Sequence, residues 1–123
     1  MLTKPLSACS EILAGDNTIL RELLHPSRDP AAVGYSLAHA KLAGDTASLP
    51  HRLKTSEVYY FISGRGLMHV DGETTSVAEK QALYVPPGAT QHLENIGNDD
   101  LVFLCIVDPA WRAEDEEVKG KDF

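Results

Sequence analysis

Residues 56–78 read SEVYYFISGRGLMHVDGETTSVA, and no other stretch limits the fold as tightly. Two runs rich in β-branched and aromatic residues are cut by SGRG and DGE, the turn chemistry of tight hairpins. A third run, ETTSVA, follows the second turn. A helix of useful length cannot pass through such punctuation. The pattern recurs on both sides. NTILRELLHP, VGYSLAHAKLA, ALYVPPG, TQHLENIG and LVFLCIVDP each read as a short strand with Gly, Pro or Asp at its ends. About eight such strands predict an all-β domain, either a sandwich or a closed barrel.

The 123 residues fit one domain with its own hydrophobic core. The strands place the barrel at about 17–108, and the acidic segment at about 109–123 (RAEDEEVKGKDF at its end) reads as a solvated tail. A net charge of -7 leaves no basic stripe to neutralise phosphates, so a nucleic-acid partner and an anionic membrane surface are both disfavoured. No apolar run is long enough to span a bilayer, and MLTKPLSACSEIL lacks the continuous apolar core of a secretory leader. A cytoplasmic protein is the expectation. Cys9 and Cys105 lack a metal spacing, and Cys105, inside LVFLCIV, reads as a small buried hydrophobe. That last strand is apolar on both faces, so its outer face needs a cover from the terminal segments or from a second subunit. A homodimer is expected on that ground. In DPAWRAEDEE, Asp108 as N-cap and Pro109 as first helical residue predict a short helix, with Trp111 packed back on the barrel.

Strand parity points to the chemistry. His51, Leu53, Glu57, Tyr59 and Phe61 share one parity, and Val58, Tyr60 and Ile62 share the other. With the odd set inward, an imidazole and a carboxylate enter an apolar lumen. An ionised carboxylate there needs a cation, an arginine or a raised pKa. Imidazole with carboxylate suits a first-row divalent metal. The plain alternative is a solvated pair at a loop–strand junction. Tyr59 is either a pocket hydroxyl or a filler that bonds one polar partner. His39 has plausible interiors on both sides of its strand, so it is either a replacement ligand or a satisfied structural histidine. His69 faces outward, and His25 reads as a strand-end residue. There is no Gly-rich phosphate loop, no G-x-S-x-G elbow and no Cys-x-x-Cys pair.

Two segments together resemble the cupin family. Its first motif matches at His51, Glu57 and Gly64, with Gly44 one residue early and Leu53 in place of the second histidine. Its second motif matches at Pro86, Gly88 and Asn95, with Lys80 in place of the opening glycine. The motif's histidine position holds Gln91, and His92 follows one residue late. Because Gly88 and Asn95 keep the family spacing, parity favours Gln91 inward beside Leu93, with His92 outward beside Glu94. A bulge could re-aim His92.

The resemblance implies an antiparallel double-stranded β-helix, the jelly-roll or cupin barrel. It also implies a divalent metal ion (Ni, Zn, Fe or Mn) held by His51, Glu57 and Gln91, with Leu53 at the empty position. His39, Tyr59 and His92 are the other pocket or ligand candidates. The expected function is a metal-binding small cupin with a small polar organic molecule in its lumen. Any enzyme activity would be of the metal-dependent dioxygenase, decarboxylase or sugar-isomerase type. The rivals are a metal-free binding or sensor cupin, and a phosphosugar isomerase or epimerase-like barrel with Arg52 or Arg65 on the phosphate.

Overall fold

A computed structural model describes residues 1–123. Eleven strands form two antiparallel sheets. They are β1 (Glu11–Leu13), β2 (Ile19–Leu24), β3 (Ser36–Leu42), β4 (His51–Leu53), β5 (Ser56–Ser63), β6 (Arg65–Val70), β7 (Glu73–Ala78), β8 (Ala82–Val85), β9 (Gln91–Asn95), β10 (Leu101–Asp108) and β11 (Glu116–Val118). One sheet runs β1-β2-β3-β10-β5-β8 and the other β11-β4-β9-β6-β7. The arrangement is the jelly roll, and the sheets face each other without closing edge to edge. No helix is long and apolar enough to cross a membrane.

The core lies between the inner strands. Leu101, Phe103, Cys105 and Val107 of β10 alternate inward against half-buried Val102, Leu104 and Ile106. Tyr59, Phe61 and Phe103 form an aromatic triangle, with ring centroids 5.5–6.0 Å apart. Offset and tilted contacts of this kind add to the burial of their apolar area. Cys105 is buried in this cluster, as a small hydrophobe would be.

The glycines of the first motif have steric reasons. Gly64 turns β5 into β6 at φ 90°, in the left-handed region, and a Cβ there would lie 2.9 Å from the Asp100 carbonyl oxygen. A Cβ on Gly44 would sit 2.2 Å from the Asn98 carbonyl oxygen. Asn95, buried, donates to the carbonyls of Leu42 and Asp99 at 2.8 Å each and accepts from the Gly97 N–H at 2.9 Å. It ties the β9–β10 loop to the end of β3.

The terminal segments depart from expectation. No α-helix starts at Asp108. Residues 109–112 are drawn out by tertiary hydrogen bonds, Ala110 N–H to the Gly34 carbonyl and Trp111 N–H to Ser36 Oγ, and only a 3-10 turn follows at Ala113–Asp115. Trp111 does pack back on the barrel. Nor is the acidic end wholly solvated. Asp115 is buried against the Arg112 guanidinium, and β11 pairs with β4 through Glu116↔Leu53 and Val118↔His51. Short-range charge density concealed that pairing, because Val118 alone marks it as half apolar. His25 proves to be a buried anchor: its Nε2 lies 2.8 Å from the Trp111 carbonyl and its Nδ1 accepts from the Ser27 hydroxyl.

Candidate functional site

Three strands deliver side chains to one cavity by simple alternation. β4 turns His51 and Leu53 inward, β5 turns Glu57 and Tyr59 inward, and β9 turns Gln91 and Leu93 inward. His51 and Glu57 lie in different sheets, joined by the corner at residues 54–55, yet both keep the inward parity. The cavity is about 330 Å³. Leu13 and Asp16 from the N-terminal side and Trp111 and Glu116 from the C-terminal side complete its wall.

The polar groups form a chain. His51 Nδ1 lies 3.3 Å from the Leu49 carbonyl oxygen and 3.6 Å from Asp16 Oδ2. Its Nε2 faces Glu57 Oε1 at 3.9 Å, an ion-pair separation rather than a hydrogen bond. Gln91 Nε2 donates to Glu57 Oε1 at 2.9 Å, and Gln91 Oε1 accepts from the Tyr59 hydroxyl. Chemistry dictates that polarity. A carboxylate only accepts, so the amide turns its NH₂ to Glu57 and its carbonyl to the phenol. The Trp111 indole N–H donates to Glu116 Oε2 at 3.1 Å.

The electrostatics follow from burial among carboxylates. Burial disfavours a charged His51, but Glu57, Asp16 and Glu116 outweigh it and lift its pKa to about 9. Burial pushes the Tyr59 phenol well above its usual range, and Glu57 adds to the rise, so the phenol remains a donor. Burial also raises Glu116, while the Trp111 N–H and His51 pull it down. Cys105, in the same wall, is raised by burial and by Glu57.

The other candidates fall elsewhere. His39 is paired across β10 with Leu104 on the outer face of its sheet, and burial lowers its pKa. His92 also faces out, paired across strands with His69. His69, His92 and Glu94 form a group whose ligand atoms all lie within 4.8 Å of one another, which could hold a metal ion. Arg52 bonds Glu117 at 2.8 Å and covers the Phe123 ring, and Arg65 is exposed on β6, so neither lines the lumen. Arg28 reaches the cavity edge but is paired with Glu22.

Asp16 and Glu116 were missing from the sequence reading. Asp16 sits in a turn that caps Thr18 through Oδ1, and turn chemistry alone does not reveal where Oδ2 points. Glu116 lay hidden in an acidic run. Its shared parity with Val118 was the available signal.

A two-sheet jelly roll with imidazole, amide, phenol and carboxylates gathered in its interior defines a small β-barrel with a polar pocket. The Cupin domain family matches residues 38–107, more than half of the chain, and the chain belongs to the cupins. An uncharacterized protein of Methanocaldococcus jannaschii is 41% identical over 104 residues, 84% of this chain and 82% of that one. An oxalate-binding protein of Thermotoga maritima is 31% identical over 51 residues, 42% of each chain. The solved structure of a predicted oxalate decarboxylase of Thermotoga maritima superposes with a TM-score of 0.77 at 20% identity, over 88% of this chain and 99% of that one. That last likeness shows the fold.

Cupins commonly bind a metal. In this lumen the donor set does not make a three-ligand cage. His51 Nε2 and Glu57 Oε1 face each other, but Gln91 presents its amide nitrogen there, and its carbonyl is engaged by Tyr59. Leu53, 4% exposed, occupies the remaining position with no donor atom.

Proposed function

We propose that this cupin binds a small neutral or cationic organic molecule in its lumen, with His51, Glu57, Asp16 and Glu116 as polar contacts and Tyr59 and Trp111 as walls. The cavity of about 330 Å³ carries this reading, because it joins an apolar lining to a few convergent polar groups. Its charge narrows the class. Four carboxylates line it; Glu22 is paired with Arg28, which leaves Asp16, Glu57 and Glu116 against one imidazolium, and no arginine or lysine head is free to enter. A cation would also face the Trp111 ring, a favourable partner for positive charge. A dicarboxylate or sugar phosphate would meet repulsion, so the oxalate of the Thermotoga maritima protein does not transfer to this chain on this reading.

The test is a thermal-shift series on untagged protein with EDTA present. Small primary amines and neutral sugars are compared with oxalate and sugar phosphates, in wild type and in Glu57→Gln. Stabilisation by amines or neutral sugars, reduced in Glu57→Gln, supports the reading. Stabilisation by the anions alone overturns it.

A second reading keeps a divalent ion in the lumen. What favours it is the posture of His51. Its Nδ1 is held by Leu49 and Asp16 while Nε2 points at Glu57, the orientation typical of ligating imidazoles. His51 and Glu57 would be its ligands, and Gln91 would join only with its amide turned over.

The same proposal includes a homodimer in the cytoplasm. Val58, Tyr60, Ile62 and Tyr84 stand on the outer face of the six-stranded sheet beside Leu104 and Ile106, and Tyr60, Ile62 and Tyr84 are 41%, 42% and 61% exposed. A dimer through this face would bury at least about 1,000 Å² in total. A monomer in light scattering at micromolar concentration would refute it. The two cysteines are unpaired, as suits a reducing compartment.

A further inference from the structure

The geometry points to a divalent-metal site on the outer face of the five-stranded sheet, formed by His69, His92 and Glu94 and separate from the lumen. It rests on strand register. His69 of β6 is the direct cross-strand partner of both Thr74 on β7 and His92 on β9, and Glu94 follows His92 by two residues on the same face. The row is therefore fixed by backbone pairing, not by long flexible side chains. The two imidazole rings stack, with centroids 4.2 Å apart and planes within 8°. His69 Nδ1 lies 2.9 Å from the Thr74 hydroxyl, and its Nε2 lies 2.6 Å from Glu94 Oε1.

These contacts assign roles. The Glu94 carboxylate accepts, so His69 Nε2 carries the shared proton, and Nδ1 accepts from Thr74. Thr74 thus holds the ring from behind. With a cation between His69 and Glu94, the single ring proton moves to Nδ1, which then donates to the Thr74 hydroxyl oxygen, and the Nε2 lone pair takes the ion. The His92 ring makes no hydrogen bond within the chain, so a ring nitrogen is free to ligate. All three residues are half-buried, enough to be ordered and open enough to admit a hydrated ion.

The chemistry selects the ion. Two imidazoles and one carboxylate favour late first-row divalent ions, with copper(II) ahead of nickel and zinc in the usual order of affinity. Calcium and magnesium, which want oxygen donors, are disfavoured. Water completes the shell on the solvent side. Bound there, the ion would staple β6 to β9, whose next residue inward from His92 is Gln91.

The experiment titrates zinc chloride, and then copper(II) and nickel chlorides, into EDTA-stripped, untagged protein by calorimetry. Wild type, His92→Ala, Glu94→Gln and His51→Ala are compared, with circular dichroism confirming the fold of each. One saturable zinc site is expected, weakened more than about tenfold in His92→Ala and Glu94→Gln and unchanged in His51→Ala. The Hε1 resonances of His69 and His92 should shift with the same stoichiometry. Zinc binding lost in His51→Ala but kept in His92→Ala would place the ion in the lumen and overturn the inference. Binding only at millimolar zinc, or none, would overturn it as well.

Discussion

His51 should make the protein less stable as the solution turns alkaline, and the size of that loss can be worked out. Its pKa is about 9 in the folded chain against an ordinary 6.5, because Glu57, Asp16 and Glu116 overcome the cost of its burial. The native state therefore holds one more proton than the unfolded chain between these values. Stability from this source is fully present below pH 6.5 and is lost as pH rises towards 9, at about 1.4 kcal/mol per pH unit. The total is about 3 kcal/mol. The side chain is 5% exposed, so solvent screening takes little from this figure.

Other titrations lie outside the window or oppose it weakly. His39 and His92 have lowered values, so they act below pH 6.5 with the opposite sign. Glu116 is raised from 4.5 and acts on the acid side. Cys105 and Tyr59 contribute only above about 9 and 10, where their unfolded forms ionise. The assay is urea unfolding at fixed protein concentration with EDTA, from pH 6.5 to 9, in wild type and His51→Gln. The wild-type midpoint should fall by about 1–2 M more than that of the variant. Parallel pH profiles for the two proteins would refute the buried imidazolium among carboxylates.

Leu53→His would add an imidazole beside His51 in the lumen and should bind nickel or zinc more tightly there than the parent, measured by competition with a chelator in a His92→Ala background that removes the outer site. Unchanged affinity in the folded variant would show that the lumen cannot be completed as a cage. Asn95→Ala leaves the Leu42 and Asp99 carbonyls and the Gly97 N–H without their partner, and should cost about 2–3 kcal/mol in denaturant unfolding. A loss below about 0.5 kcal/mol would mean that water replaces it freely.

Much of the architecture was legible because it depends on period and punctuation. The SGRG and DGE turns fall between β5, β6 and β7 as the sequence implies, and the inward parity of His51, Glu57, Tyr59 and Gln91 agrees with their burial. Gln91, rather than His92, faces the lumen for the reason that spacing supplied, since no bulge interrupts β6–β9 pairing at that point. What stayed hidden depends on contacts between distant parts of the chain. The apparent helix at Asp108 had a good local cap, but Gly34 and Ser36 compete for its backbone and win. The acidic end looked solvated because strand pairing leaves no trace in a three-residue segment. The direction of the Gln91 amide could not be read at all, because it is set by Glu57 on one side and Tyr59 on the other.

Two of the strands that complete the wall of the lumen, β1 and β11, are each three residues long and each lie at the edge of their sheet. The aromatic core sits instead between strands paired on both sides. Short edge strands break first in native-state fluctuations, at a small fraction of the global unfolding free energy. The pocket can therefore breathe while the barrel stays folded. Amide protons of residues 11–16 and 116–118 would exchange through brief local openings, and those of β10 only with global unfolding. Ligand entry would then be timed by the fraying of these two edges, and a molecule that bridges Asp16 to Glu116 would slow both its own escape and the exchange of the walls around it.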